Sequence, residues 1–210
     1  MSEKDLSWKY AEEFPVEPPA TQLARQHSLE LGIEPISPAA GAQLAVLAAA
    51  IGAGSILEIG TGAGVSGLWL LQGAPAATLT TIDVEIDHQN RARQAYADAG
   101  IPAARTRLIA GRAASVLPRM NDGAYDLVLV DADAASVLDY VEHGLRIART
   151  GGVVVVAHAL WRGRVADPAQ RDETVADFRA LLTTIAESAA VTAALSTAGD
   201  GLLQLVKTGD

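Results

Sequence analysis

The sequence predicts an α/β fold built on a seven-stranded, mostly parallel sheet with helices on both faces. From Ser55 onward, five short apolar segments alternate with longer helical stretches, which is the pattern of βα units in a parallel sheet. The fourth and fifth segments, 126–130 and 153–156, are apolar on both faces, which indicates central strands covered by helices. The last two β-like segments flank Gly199-Asp200-Gly201, a turn signal at hairpin spacing.

The predicted elements follow in order along the chain. Residues 1–34 are more polar than the rest and have a helical pattern that prolines interrupt, so we expect an N-terminal helical extension in two pieces. Ser37-Pro38 then fits the start of an apolar helix that stops at the glycines of 52–54. The predicted strands are 55–59, 79–82, 107–109, 126–130, 153–156, 191–195 and 202–206. Five parallel strands closed by an antiparallel hairpin are the methyltransferase form of the Rossmann-like sheet, whereas the dinucleotide-binding form is fully parallel.

Composition limits the number of domains and the partners. A chain of 210 residues is long enough for one α/β domain, which we place at 35–210. The net charge of −9 would repel a nucleic acid backbone, and the absence of cysteine excludes disulfides, thiolate metal sites and a cysteine nucleophile. The opening residues are charged and no apolar run reaches ~18 residues, so we expect a cytoplasmic protein with no membrane partner.

A glycine-rich turn between the first strand and the next helix, 57–67, is the most informative segment. Glycines allow a sharp turn and a close approach of a ligand to the backbone, and the helix N-terminus offers unpaired N–H groups. The glycines at 62, 64 and 67 match the pattern G-x-G-x-x-G, and Asp83 follows about 20 residues later, as in dinucleotide-binding proteins. An NAD-binding oxidoreductase is therefore one candidate function.

Glu58, two residues before the first glycine of the turn, favours a different ligand. A carboxylate there would repel a pyrophosphate, whereas it suits S-adenosylmethionine, which carries an ammonium and a sulfonium and has no phosphate. The alternative interpretation is a surface glutamate beside a structural turn. The charge pattern predicts the methyl donor.

Further candidate ligand contacts follow the second, third and fourth strands. Asp83 could accept hydrogen bonds from both ribose hydroxyls, or could cap the next helix. Gly111-Arg112-Ala113 could border an adenine, or could simply begin a helix. Asp131 and Asp133 lie at the carboxyl edge of the sheet, where they could contact a cationic donor or a metal, or act as helix caps.

From about Ile36 to its end, the chain resembles the class I O-methyltransferases of the catechol and caffeoyl-coenzyme A type. The matching blocks are Leu57-Glu58-Ile59-Gly60-Thr61 with Gly64 and Ser66, Thr81-Ile82-Asp83, Gly111-Arg112-Ala113, Asp126-Leu127-Val128 through Val130-Asp131-Ala132-Asp133, Gly151-Gly152, and Leu160-Trp161 with Gly163 and Val165. The resemblance implies an S-adenosylmethionine-dependent enzyme that methylates a hydroxyl of a small phenolic or catechol-like acceptor and forms a homodimer.

The resemblance also implies roles for individual residues. Around the amino acid part of the donor it places Glu58, Gly60, Thr61 and Ser66. Around the nucleoside it places Asp83 with its neighbour Val84, Arg112-Ala113 at the adenine edge, and Ile36 as a wall of the pocket. Asp131 would face the methyl group and the acceptor, and so serve catalysis, with Asp133 close by.

The chain departs from the family at the metal site. Family members have Asp-Asn after the fifth strand, and these two residues bind a divalent cation together with the first aspartate of the preceding loop. In this chain the corresponding pair is Ala157-His158. The lysine that follows Asp-Ala-Asp in the family is replaced by Ala134. Mg²⁺ requires several oxygen ligands and alanine supplies none, so the sequence predicts that the usual Mg²⁺ site is lost. One carboxylate and one imidazole could suit a softer metal, but two ligands are few for a protein site.

A catalyst without the cation needs another way to deprotonate the acceptor. His158 stands where a ligand stood, with an ordinary pKa near ~6.5, and we predict that it is the general base. Its alternative role is a hydrogen bond within the loop. Trp161 is predicted to stack on a flat acceptor or to pack in the core. A protein that binds the donor without turnover is a third candidate function.

Overall fold

The computed structural model describes residues 3–209 and contains a seven-stranded sheet in the order β3-β2-β1-β4-β5-β7-β6. The strands are β1 (Ser55–Ile59), β2 (Thr78–Asp83), β3 (Thr106–Ala110), β4 (Tyr125–Val130), β5 (Ala148–Val156), β6 (Val191–Ser196) and β7 (Leu202–Lys207). The first five are parallel to one another, and β7 pairs antiparallel with both β5 and β6. The predicted α/β fold with its C-terminal hairpin is confirmed, and β4 lies at the centre of the sheet as the apolar pattern predicted.

Eight α-helices accompany these strands within the described residues. They are α1 (Glu3–Glu13), α2 (Pro19–Glu30), α3 (Pro38–Ala50), α4 (Val65–Gly73), α5 (Ile86–Asp98), the single turn α6 (Ala113–Val116), α7 (Val137–Ile147) and α8 (Glu173–Glu187). The Ser37 hydroxyl caps α3 by accepting a hydrogen bond from the Ala40 N–H at 3.2 Å. Over residues 3–209, no helix has the length and apolar character needed to cross a bilayer.

Alternation along the strands divides the core into two layers. Ile56, Leu127 and Val155 face one cluster, which α2, α3, α4 and α5 complete. Their immediate neighbours Leu57 and Val128 face the other cluster, which α6, α7 and α8 complete. Because successive side chains of a strand point to opposite faces, fully apolar strands can be covered on both sides. The carboxyl ends of the parallel strands are left open at one edge of the sheet.

Strand β5 begins earlier than its apolar run predicts. The run starts at Val153, whereas the strand starts at Ala148, which pairs with Tyr125 across a register shift. Gly151 has φ +75°, a conformation that glycine adopts without strain, and it lies within this irregular segment. The extra pairing could not be read from hydrophobicity because 149–152 carry no apolar side chain.

Helix α1 contacts the turn of the β6–β7 hairpin. The Trp8 indole N–H donates a hydrogen bond to the Thr197 carbonyl at 3.0 Å, and the Gly199 N–H donates to the Glu12 carboxylate at 2.6 Å. These contacts join the two ends of the chain. They also fix the position of a turn that reaches the carboxyl edge of the sheet.

Candidate active site

The glycine-rich turn after β1 brings the ends of β1 and β4 into direct contact. Gly60 has φ +100°, and a Cβ atom at this position would lie 1.8 Å from the main-chain oxygen of Asp131. The Asp131 N–H donates to the Ile59 carbonyl at 2.8 Å, which locks the two strand ends together. Only glycine fits here, and the close approach leaves the backbone of 60–62 facing the open edge of the sheet.

A cavity of about 590 Å³ lies at this edge, between the turn, the ends of β2 and β4, and the segment before α3. It is lined by nearly all of the residues predicted to bind the donor: Ile36, Gly60, Thr61, Ser66, Asp83, Val84, Arg112, Ala113, Asp131 and Asp133. Glu34 and Glu85 add two more carboxylates to its wall, beside the single guanidinium of Arg112. The structure therefore gathers these predicted residues around one acidic cavity.

Asp83 is held against the glycine-rich turn. One carboxylate oxygen accepts hydrogen bonds from the N–H groups of Thr61 and Gly62, both at 3.0 Å, and the other accepts from the Glu85 N–H at 2.9 Å. Helix α5 begins after Glu85, so Asp83 is not its N-cap. An ionised carboxylate has about four lone-pair sites, which leaves Asp83 the capacity to accept from a ligand hydroxyl.

Glu58 lies behind the cavity wall. Its side chain is fully buried, and its two oxygens accept hydrogen bonds from the Ser66 hydroxyl at 2.6 Å and the Thr81 hydroxyl at 2.5 Å. Burial raises its pKa to about 8, although the two hydroxyls oppose the shift. The sequence pattern predicted a carboxylate beside the cationic donor, with a surface glutamate as the alternative. The structure instead places this side chain behind Ser66, where burial raises its pKa, and the other carboxylates lie on the cavity wall itself.

His158 lies between two carboxylates at the end of β5. Its Nδ1 is 2.7 Å from Asp200 Oδ1, and its Nε2 is 3.5 Å from Asp131 Oδ1. Burial of the ring lowers its pKa, but the Asp200 hydrogen bond and the charges of Asp131, Asp200 and Glu34 outweigh burial and raise the pKa to about 9. Burial raises the pKa of Asp131, which the imidazolium opposes and Asp200 reinforces. The alternative role predicted for His158 was a hydrogen bond within the loop, whereas its Nδ1 contacts Asp200 of the β6–β7 hairpin and its Nε2 faces the cavity residue Asp131.

The loop that follows His158 is strained and closely packed. His158, Trp161 and Arg162 have φ values of 56°, 46° and 56°, and they are the non-glycine residues with positive φ among 3–209. The Trp161 ring stacks on Phe178 with centroids 5.6 Å apart, and both line a recess of about 30 Å³ beside His158 and Asp131. Trp161 thus packs against the core and also borders the space next to the imidazole.

An ion pair involves Glu34, one of the carboxylates of the cavity wall. The Arg162 guanidinium contacts the Glu34 carboxylate, which joins the loop after β5 to the segment before α3. Arg164 pairs instead with Asp172 at 2.6 Å.

Several cavity residues were not predicted from the sequence. His88 on α5 lines the cavity with Nδ1 3.5 Å from Asp83 Oδ1. Tyr140 donates a hydrogen bond to Asp133 at 2.6 Å, which holds that carboxylate at the wall. Asp200, which contacts His158 but does not line the cavity, was predicted only as part of a turn. His88 alone left a signal, because it lies five residues after Asp83 on the first turns of the next helix.

The donor set for a divalent cation is incomplete at this edge. Ala157 is buried and has no ligating atom, and His158 contacts Asp131 directly. Across residues 3–209, no group of three or more His, Asp or Glu side chains is arranged to hold a metal ion. The residues therefore do not fit the Mg²⁺ site of the family that the sequence resembles.

Comparison with known proteins identifies relatives along the whole chain. Residues 21–208 match the family model described as O-methyltransferase. A Mycobacterium tuberculosis protein named as a probable O-methyltransferase is 47% identical over 201 residues, covering 95% of this chain and 90% of its own. A solved protein of Corynebacterium glutamicum superimposes with a TM-score of 0.90 at 28% identity, covering 100% of this chain and 99% of its own. The Streptomyces achromogenes O-methyltransferase TomG, of tomaymycin synthesis, was solved with S-adenosylmethionine and superimposes with a TM-score of 0.85 at 30% identity over 100% of both chains.

Proposed function

The chain belongs to the O-methyltransferase family, and we propose that it methylates a hydroxyl of a small phenolic or catechol-like acceptor without a Mg²⁺ ion. The observation that carries this proposal is His158, whose Nε2 lies beside Asp131 at the carboxyl edge of the sheet while its Nδ1 is held by Asp200. An imidazole oriented by a carboxylate is the arrangement of a general base. His158 stands at the chain position where metal-dependent family members have a metal ligand.

The cavity is suited to S-adenosylmethionine, which supplies the methyl group from a sulfonium. Gly60, Thr61 and Ser66 would hold its amino acid part, and Ile36 would wall the pocket. Asp83 and Val84 would hold the ribose, Arg112 and Ala113 would border the adenine, and Asp131 and Asp133 would lie near the sulfonium. The acidic wall favours a cation and opposes a pyrophosphate, which supports the methyl donor over NAD. The TomG complex with the same donor supports the same assignment.

The basicity of His158 points to the class of acceptor. A base with a pKa of about 9 is close to a phenol, whose pKa is about 10, so taking the phenolic proton costs only about 1 kcal/mol. An aliphatic alcohol is about as weak an acid as water, with a pKa of about 15.7, and the same transfer would cost about 9 kcal/mol. Trp161 also borders the space beside the imidazole, where its ring would contact a flat phenol.

A transfer assay with labelled donor tests the proposal directly. We expect methyl transfer to members of a panel of phenols and catechols, and none to small amines. A chelator should leave the turnover number unchanged and added Mg²⁺ should not raise it, because Ala157 offers no ligand. Loss of activity with chelator and its recovery with Mg²⁺ would contradict the metal-free mechanism. Donor binding without transfer to any acceptor would favour a non-catalytic binding protein.

Donor affinity should depend on pH through Glu58. A cation bound near this carboxylate favours its ionised form and lowers its pKa, so affinity should rise with pH and level off above about 8, the value to which burial raises the pKa of Glu58. Glu58→Gln removes the titrating group and keeps the size, so its donor affinity should lack this rise. Isothermal titration measures the donor affinity of both proteins across the pH range. Subtracting one pH curve from the other removes the contribution of the donor's own amino group, because that contribution is common to both proteins. Parallel pH curves for the two proteins would show that Glu58 does not sense the donor.

A further inference from the structure

Asp200 lies at the tip of the β6–β7 hairpin and reaches into the candidate active site. Its Oδ1 is 2.7 Å from His158 Nδ1, although the two residues are 42 positions apart in the chain. Nothing in the sequence resemblance gives this residue a role. Asp200 contacts Nδ1 of the imidazole, whereas the other ring nitrogen, Nε2, faces Asp131.

The position of Asp200 is fixed by three further contacts with the loop after β5. Its second carboxylate oxygen accepts a hydrogen bond from the Arg162 N–H at 2.8 Å, and its main-chain oxygen accepts from the Leu160 N–H at 2.8 Å. The next carbonyl, that of Gly201, accepts from the Ala159 N–H at 2.9 Å. Both carboxylate oxygens are therefore occupied, one by the imidazole and one by the backbone.

The hairpin turn is also held from the opposite side. Glu12 and Trp8 of α1 bind the N–H of Gly199 and the carbonyl of Thr197. Gly201 has φ +104°, and a Cβ atom there would lie 2.5 Å from the Leu160 nitrogen. The turn therefore packs directly against the loop after β5, and a movement of the turn would disturb that loop.

The strained backbone of His158 requires a partner that holds it. A left-handed conformation is unfavourable for a non-glycine residue and persists only where the surroundings impose it. His158 and Arg162 both have φ 56°, and both bind Asp200, one through its ring and one through its N–H. The Asp200 carboxylate thus bridges the two strained residues.

We propose that Asp200 is a positioning residue that keeps the His158 proton on Nδ1 and aims Nε2 at the acceptor oxygen. This inference deepens the proposed function, on which it rests. An imidazole needs a free Nε2 to take a proton from the acceptor, and a carboxylate on Nδ1 selects that tautomer. The acceptor proton moves to Nε2, the acceptor oxygen forms its bond to the methyl carbon, and the bond between that carbon and sulfur breaks with its electron pair left on sulfur.

Asp200→Asn tests the proposal because it should reverse the tautomer. An asparagine has one oxygen acceptor, which the Arg162 N–H would use, and its amino group would then face Nδ1 and donate to it. The ring proton would move to Nε2, where it blocks proton transfer. We expect kcat to fall about 10²–10⁴-fold with little change in the KM for the donor. Asp200→Glu keeps a carboxylate and should recover part of kcat.

The ¹⁵N shifts of the histidine rings report the tautomer without any assay of activity. Recorded at alkaline pH, where the ring is neutral, the His158 signals should show the proton on Nδ1 in the natural protein and on Nε2 in Asp200→Asn. His158→Gln assigns the signals. Ser196→Ala is the matched control, because it removes a hydroxyl that accepts from the Ala198 N–H at 3.1 Å in the same turn but does not contact His158.

The outcomes distinguish the positioning role of Asp200 from the proposed role of His158 as general base. An unchanged tautomer in Asp200→Asn, or an equal loss of kcat in Ser196→Ala, would show that Asp200 merely supports the turn and would overturn the inference. If His158→Gln kept full turnover, the general base would be wrong. A reversed tautomer in Asp200→Asn would then still establish that Asp200 orients the ring.

Discussion

His158→Gln is expected to lower kcat about 10²–10⁴-fold with an ordinary phenolic acceptor, while donor affinity stays unchanged. Glutamine keeps a polar side chain of similar reach but cannot accept the acceptor proton at neutral pH. His158 does not line the large cavity that gathers the predicted donor contacts, so donor binding measured by titration should be preserved. His143→Gln is the matched control, because His143 contacts Arg146 at 3.4 Å, away from the cavity.

The acceptor's own acidity sharpens this prediction. A phenol made acidic by electron-withdrawing substituents is already ionised at neutral pH and needs no base. The loss caused by His158→Gln should therefore shrink steadily across a series of acceptors as their pKa falls. An equal loss with every acceptor would indicate that His158 shapes the site rather than removes a proton. Full turnover in the variant with a weakly acidic phenol would contradict the proposal.

The pH dependence follows from the direction of the His158 pKa shift. The ring is a base only when neutral, and its pKa is raised to about 9, so kcat/KM for the donor should increase with pH until about 9 and then level off. A sulfonium bound beside the ring favours loss of its proton, so the rise in kcat should be centred at lower pH than the rise in kcat/KM. His158→Gln should lose this rise when assayed with an acidic phenol.

The fold and the cavity were predictable because their signals are local. Strand β1 was predicted to the residue, since its apolar run is bounded by glycines on both sides. Asp83 and Asp131 could be assigned to one ligand because each directly follows a parallel strand, and parallel strands end at the same edge. Neither inference required knowledge of how distant segments meet.

Asp200 and Glu58 show what the sequence could not provide. The contact of Asp200 with His158 depends on the length of the β6–β7 hairpin and on the left-handed loop after β5, and neither leaves a pattern beyond a turn signal. Glu58 was correctly located on β1, but its protonation depends on complete burial, which no neighbouring residue reveals. The sequence identifies the side chains that can carry a charge, whereas burial and neighbouring groups in the fold shift their pKa values.

Gly60→Ala is expected to destabilise the protein by about 3 kcal/mol or more and to abolish donor binding. The added methyl group would lie 1.8 Å from the main-chain oxygen of Asp131, so the ends of β1 and β4 would have to separate. Separation would move Thr61 and Asp131, which line the cavity on its two sides. Denaturant unfolding and donor titration measure the two effects.

Gly62→Ala separates steric clash from backbone conformation at the same turn. Gly62 also has positive φ, at +49°, but the nearest atom to an added Cβ would be Ile33 Cγ2 at an ordinary 3.7 Å. The free energy of unfolding of Gly62→Ala should fall by only about 1–2 kcal/mol, because the left-handed conformation is unfavourable for alanine, and the variant should keep most of its donor affinity. The difference between the variants isolates the contact between Gly60 and Asp131. If both variants lost stability and binding equally, flexibility of the turn, rather than the close approach of two strands, would be what the donor site requires.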